Sequence, residues 1–458
     1  MNNTQRSALA FAVMAGLLLI VGFFQSWSLM LSIFNLCLIS SVMALGVNIQ
    51  WGYAGLFNVG TMGFAALGGV AAVLVSKSPV PEAWAAGGWN LLFAAVGLGA
   101  TIATTVAFYR AIPKGTFRVV TLSVIILIGI FATRYFADPA IADIEAVNPA
   151  VTGYLGGLGL PILFSWGVGG LFAAGAAWAI GKIALGLRSD YLAIATLGIS
   201  EIIIALLKNE DWLTRGVKNV TGLPRPVPYE IELQKSESFI GWTEWLNSSQ
   251  LSALSDAEHA DVLSRLVIEQ SGVFVKLCYA GLFLTVLVIV LSMSIMALNS
   301  PWGRMMRAIR DNEVSASAMG KNVTGRHLQV FVIGSAVVGI AGAMLTTLDG
   351  QLTPGTYNPL RFTFLIWVMV IVGGSGNNLG SVLGGFLIWF IWIEAEPVGV
   401  WLIDTATGWL DDGNPVRLHL MDAAQHMRLF MMGLVLLLVM RFNSGGILPE
   451  VTKLQGKQ

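Results

Sequence analysis

The sequence predicts an all-α integral membrane protein: a polytopic helix bundle of about 10–12 transmembrane segments, some broken or re-entrant, with both termini cytoplasmic. Three observations carry that prediction. The chain is 55% hydrophobic and only 11% charged, with a mean hydropathy of +0.74. Soluble proteins carry about 25% charged residues, so too little polar surface remains to coat a soluble particle of this size. Apolar runs cover most of the 458 residues. The Lys and Arg residues gather in alternate loops, the pattern that orients a membrane protein.

The elements follow in order. A hydrocarbon core of about 30 Å is crossed by about 20 apolar residues. Such windows fall at roughly 7–25, 29–50, 53–76, 89–110, 117–136, 157–182, 190–208, 273–298, 327–348, 362–376, 380–396 and 426–442. The basic start followed by an apolar run superficially resembles a signal peptide. It lacks a small-x-small cleavage pattern and another span follows at once, so it reads as a retained first span. Trp51–Gly60 (WGYAGLFNVG) and Gly373–Gly385 (GGSGNNLGSVLGG) are too glycine-rich for plain continuous helix. Irregular backbone at membrane depth is tolerated only where protein or a water-filled path surrounds it. Gly380 and Gly384 form a small-xxx-small pair suited to close helix packing.

Charge tests the list. From a cytoplasmic start with Arg6, alternation places Arg110, Lys114, Arg118, Lys182, Arg188, the 299–326 loop, Arg441, Lys453 and Lys457 inside. It places Asp138, Asp143, Glu145, the polar 208–272 insertion and the 394–425 segment outside. In 208–272, leucines at helical spacing between Thr243 and Glu269 predict short amphipathic helices lying against the outer face. Neither outer segment is long enough for a domain with its own large core, so residues 1–458 form a single transmembrane domain.

Several chemistries are excluded. A net charge of zero gives no footprint for nucleic acid. Cys37 and Cys278 lie in apolar runs and read as packing residues. His259, His327, His419 and His426 are scattered without ligand spacing, so no metal and no cofactor is expected. No Ser/His/Asp constellation is present, which leaves no catalytic site. A phosphate-binding G-x-x-x-x-G-K-[ST] loop is absent, so this chain does not hydrolyse ATP.

Residues 302–326, WGRMMRAIRDNEVSASAMGKNVTGR, form an amphipathic loop with Met306, Ile309, Val314, Ala318 and Met319 tending to one face and Gly320 as a natural helix stop. It reads either as a helix lying in the headgroup region or as a docking helix for a cytosolic partner. Within the spans, Glu201 is the one carboxylate well inside an apolar run. An ionisable group there is costly unless paired or facing water. Asn48 and Asn58 bracket the broken WGYAG stretch, and Thr196 shares a span with Glu201.

The 302–326 loop resembles the coupling-helix loop of branched-chain amino acid ABC permeases of the LivM-type subunit. Three further segments resemble that family in order and spacing: NIQWGYAGLFNVGTMGFAALGG at 48–69, RSDYLAIATLGISEIIIALL with TGLPRP at 188–226, and IVGGSGNNLGSVLGG with RLFMMGLVLLLVMRFNSGGIL at 371–448. The chain departs from the family in NSGGIL at 443–448, where a Pro-x-Gly-Leu element is usual, and in expansions at 115–157 and 229–272. The resemblance implies a permease subunit of an importer for branched-chain amino acids, or for urea or short amides. Its implied partners are a second, LivH-like permease, two cytosolic ATPase subunits, an extracytoplasmic solute-binding protein and the bilayer of the inner membrane. It implies coupling-helix roles for Arg307, Arg310, Asp311, Asn312, Glu313, Ala316 and Gly320. It leaves Asn48, Asn58, Thr196 and Glu201 as candidates for the translocation path or its gate, each with a structural alternative. An ion-coupled secondary transporter is the reading from another class, and it calls for more intramembrane carboxylates than Glu201 supplies.

Overall fold

Inside hydrocarbon every backbone N–H and C=O must be paired within its own segment, so apolar runs of this length become helices. The computed structural model describes residues 3–450 apart from 150, 253, 254 and 412; Lys453 and Lys457 lie outside the described residues. Among the described residues, nine helices are long and apolar enough to cross a membrane. One bent helix pair and two shorter apolar helices fill the remaining predicted positions. In chain order they are α1 (Asn3–Phe24), α2 (Trp27–Ala54), α3 (Thr61–Ser76), α4 (Trp89–Ala111), α5 (Thr116–Ala146), α6 (Leu163–Ala184), α7 (Ser189–Asn209) and α8 (Asp256–Asn299). The 299–326 loop holds α9 (Pro301–Asp311) and α10 (Glu313–Ala318). Then come α11 (Val323–Asp349), α12 (Pro359–Gly373), α13 (Asn378–Thr407), and the bent pair α14 (Pro415–Ala423) and α15 (Met427–Phe442).

Contacts between the connections sort the two ends of the bundle. Val220 and Thr221 pair antiparallel with Leu352 and Gln351, and Lys77 Nζ donates to Gly222 O. The chain after α3, α7 and α11 therefore meets at one end. At the other end Arg310 reaches both Gly52 O and Glu450. The basic 299–326 loop thus gathers the ends of α2 and α15 beneath the bundle, on the side that charge alternation assigns to the cytoplasm.

Helices α2, α3 and α11 make the buried centre, with Cys37 among the buried residues of α2. Their glycines allow backbone contact. A Cβ built on Gly68 would sit 1.9 Å from Gly339 O, and one on Gly342 would sit 2.0 Å from Ala65 O. Helix α6 packs on α3 and α11, while α12 and α13 close the far side of α2. There Gly384 lies so near α12 that a Cβ would stand 1.9 Å from Met369 O, the contact that the 380/384 spacing suits.

The glycine-rich stretches interrupt helix as predicted, but over shorter lengths. Helix α2 runs on to Ala54 and stops where Gly55 takes φ 69° and donates to Trp51 O at 2.8 Å. The second stretch is a tight connection between two spans: Gly374 and Gly376 have φ 119° and 83°. Asn377 Oδ1 then accepts from Leu379 N at 3.0 Å, so Gly380–Gly385 are already helical.

Three segments differ from expectation. The predicted span at 157–182 starts only at Leu163, because residues 158–160 run non-helically over the end of α3, with Gly159 at φ 68°. Leu158 N, Gly159 N and Leu160 N donate to Leu74 O, Lys77 O and Val75 O at 2.9, 2.8 and 2.9 Å. That pairs carbonyls which a helix end would otherwise leave open. Short helices are present in the insertion at Glu230–Lys235, Glu237–Leu246 and Ser248–Leu251, but residues 256–272 are not separate helices. A capping box of Ser255 and Glu258 starts a single 44-residue α8, about 66 Å long at 1.5 Å per residue, that projects outward beyond its span. The 394–425 stretch is also largely helical, since α13 continues past Pro397 to Thr407. Finally, α4 and α5 form a hairpin that packs chiefly on itself, with only 6% of either apolar window buried.

Candidate functional site

Two constellations matter, a buried polar knot at the cytoplasmic end of α2 and the helical loop beneath it. Asn48 is fully buried. Its Nδ2 donates to Asn378 Oδ1 at 3.1 Å, and its Oδ1 accepts from Gly376 N at 2.8 Å. Tyr53 donates its hydroxyl to the same Asn378 oxygen. Asn58, also buried, donates to Gln50 Oε1 at 2.9 Å and accepts from Gly60 N at 2.9 Å. Gln50 Nε2 in turn donates to Phe331 O and Ser335 Oγ at 3.1 and 3.0 Å. The two asparagines therefore pin both helix breaks to each other and to α11. Buried amides of this kind must be paired, and these are.

Thr196 is buried and receives Val59 N at 3.1 Å while donating to Ala193 O at 3.0 Å. It fastens α7 to the break after α2. Asn48, Asn58 and Thr196 thus tie neighbouring segments together through their polar atoms. Glu201 differs. It lies on an exposed face of α7, together with Ile194 and Ile202, on the side away from α3.

Beneath the knot, Ser300 caps α9 by accepting from Gly303 N at 3.4 Å, with Pro301 in the first turn. Helix α9 buries Met306 and Ile309 against the bundle. Arg307 donates to Leu298 O at 2.9 Å. Arg310 is the tie between loop and core. It donates to Gly52 O in the last turn of α2, where a cation also suits the helix dipole. It pairs with Glu450 at 2.9 Å and touches Asp311 at 3.4 Å.

Asn312 then breaks the helix. Its backbone is extended, and its Oδ1 accepts from Ser315 N at 2.9 Å to start α10 at Glu313. Gly320, at φ 75°, closes α10: Gly320 N donates to Ser317 O and Lys321 N to Ala316 O at 2.9 and 3.2 Å. Ala316 is the buried side of α10, whereas Val314 and Met319 are 79% and 80% exposed. The single apolar face expected over 306–319 is therefore divided by the turn at Asn312. Its first half points into the bundle and its second half points away from it. Sequence reasoning missed Gln50, Asn378 and Glu450; the paired Asn377-Asn378 inside a glycine run was the available signal, because polar amides have no other reason to sit there.

Residues 140–440 match the family described as branched-chain amino acid transport system / permease component. The chain belongs to this family. Among relatives of this permease component, the high-affinity branched-chain amino acid transport system permease protein LivM of Escherichia coli K12 is 27% identical over 306 residues. That alignment covers 64% of this chain and 66% of the relative. The Salmonella typhimurium LivM is 28% identical over 221 residues, covering 48% and 47%. The xylose transport system permease protein XylH of Escherichia coli K12 is 26% identical over 185 residues, covering 38% and 46%. The chain thus spans just under two thirds of the first of these relatives and about half of the others. No solved structure matches. The helices α1 to α4 and most of α5 precede the matched region. Family and helix pattern together make the chain a multi-pass membrane protein of a transport permease family.

Proposed function

We propose that this chain is one permease subunit of an ATP-driven importer for branched-chain or related apolar amino acids. In this reading an extracytoplasmic binding protein delivers the solute to the outer end, where 208–255 and the projecting part of α8 lie. Two separate ATPase subunits act at the cytoplasmic end, and a second, LivH-like permease completes the path. The observation that carries the reading is the divided loop of α9 and α10. Its first helix is fastened to the end of α2 and to Glu450 beyond α15 through Arg310 and ends on the largely exposed Asp311, while its second and the residue that closes it offer Val314 and Met319 to the cytoplasm. A push on α10 is thereby delivered to the α2 break and the polar knot, the place where a bundle of spans can be made to rock. Relatives named for branched-chain amino acids support the solute class.

The test is solute uptake by the permease complex in proteoliposomes. ATP enclosed with the ATPase subunits should drive leucine uptake that survives collapse of all ion gradients. Uptake without ATP that stops when an ion gradient is removed would instead establish the secondary-transporter reading and overturn this one.

A further inference from the structure

A cavity of about 350 Å³ opens away from the polar knot between α2, α3, α11, α12, α13 and α15. That volume is within the range of small-molecule sites, about 300–1,000 Å³. Its chemistry is divided. The inner part is apolar, with Met43 of α2 and Met369 of α12 among its lining. Ionisable groups come from three other positions: Asp349 at the end of α11, Arg361 in the first turns of α12 and Arg428 at the start of α15. All three mark the outer end of the bundle, since Asp349 stands two residues before the Gln351–Leu352 strand.

These charges do not cancel one another. Arg428 pairs with Glu396 through Nη2, yet its Nε is buried without a hydrogen-bond partner in the protein. Arg361 stacks on Trp392, 4.8 Å from the ring centroid. Among the described residues neither Arg361 nor Asp349 is in an ion pair. Trp389 Nε1, on the same cavity, is likewise buried without an acceptor. A buried donor left open costs about 1–3 kcal/mol. The cavity therefore carries an exposed arginine and an exposed carboxylate at its outer mouth, two open donors buried in its wall, and an apolar floor below.

The geometry points to a transit site for a zwitterionic α-amino acid with an apolar side chain. Arg361 takes the α-carboxylate, Asp349 takes the α-ammonium, and the side chain lies toward Met43 and Met369. A neutral amide offers no cation for Asp349, and a sugar offers neither charge, so the site discriminates by charge pair before it discriminates by shape. The assignment rests on the importer reading above.

It is tested with the full complex, by ATP-driven leucine uptake and by labelling with a photoreactive diazirine leucine. Arg361→Gln and Asp349→Asn are each expected to lower uptake about tenfold or more, the effect of losing a charge-assisted hydrogen bond. Arg361→Lys and Asp349→Glu should recover part of it, and Lys114→Gln, in the α4–α5 turn, should match the wild type. ATPase stimulation by the loaded binding protein should stay within about twofold throughout, since the changes lie at the end opposite α10. The label should map to α2 or α12 and fade in Arg361→Gln. Wild-type uptake with unimpaired Arg361→Gln and Asp349→Asn variants, or a label confined to other helices, overturns the site while leaving the importer intact. Absence of ATP-driven leucine uptake in the wild type removes both.

Discussion

Asn48 makes two hydrogen bonds from a position with no access to water, and each ends on the α12–α13 connection. Truncating it leaves Gly376 N without a partner and Asn378 Oδ1 with Tyr53 alone, at about 1–3 kcal/mol for the open buried group. Asn48→Ala should therefore lower the melting temperature of the purified permease complex and reduce its yield from membranes. An unchanged melting temperature would show that the connection holds without it. The glycines act by the opposite means, through what they lack. A valine at Gly342 would drive side-chain atoms into Ala65 O, where even a Cβ comes to 2.0 Å. Overpacking of this kind costs about 1–3 kcal/mol or more, and here the neighbour is backbone and cannot swing aside. Gly342→Val should give little folded protein, whereas Gly99→Val, on the open face of α4 with nothing within 4 Å, should express normally.

At the scale of elements, α9 and α10 separate two roles that the sequence shows as one. The loop's amphipathic pattern, its Gly320 stop and its position were legible, because helical periodicity and a left-handed helix stop are local properties. The division was not, because it depends on Asn312 capping a new helix and on Arg310 finding Gly52 and Glu450, residues far away in the chain. The same limit explains Asn48, Asn58 and Thr196. Their polar character inside apolar runs was visible, but only their partners show that they clamp the helix breaks. Helix existence was legible throughout, while α8 and α13 ran past their predicted ends because a helix does not stop where hydrocarbon stops. A consequence follows for coupling. Val314→Glu or Met319→Glu should abolish stimulation of the ATPase subunits while leaving the melting temperature within error, since both side chains are solvent-exposed. Met306→Ala should do the reverse in part, destabilising the complex by about 2–5 kcal/mol, as large-to-small changes in a core do. Equal loss of stability in both sets would contradict the division.

For the whole molecule, the question is which surfaces face lipid and which face another chain. The α4–α5 hairpin exposes apolar side chains such as Phe93, Val96, Val120 and Phe131 on every side, and hydrocarbon satisfies them. Helix α7 does not allow that answer. Its uncovered face carries Glu201 well inside the span, flanked by Ile194 and Ile202. A charged carboxylate there costs about 2.5–3.5 kcal/mol or more against lipid, and its own chain offers it no ion pair among the described residues. In the proposed importer a neighbouring subunit, with the wet path between the two permeases, would relieve that cost. The prediction is a contact map. In a Cys278→Ser background, with Cys37 buried, Ile194→Cys and Ile202→Cys should crosslink to the second permease through a short bifunctional maleimide once that subunit carries a matching cysteine. Val96→Cys on α4 should give no such product. Crosslinking from Val96 and none from the α7 face would move the subunit boundary to the hairpin. Glu201 would then need its counter-charge from elsewhere, and Glu201→Leu should stabilise the chain instead of impairing its transport.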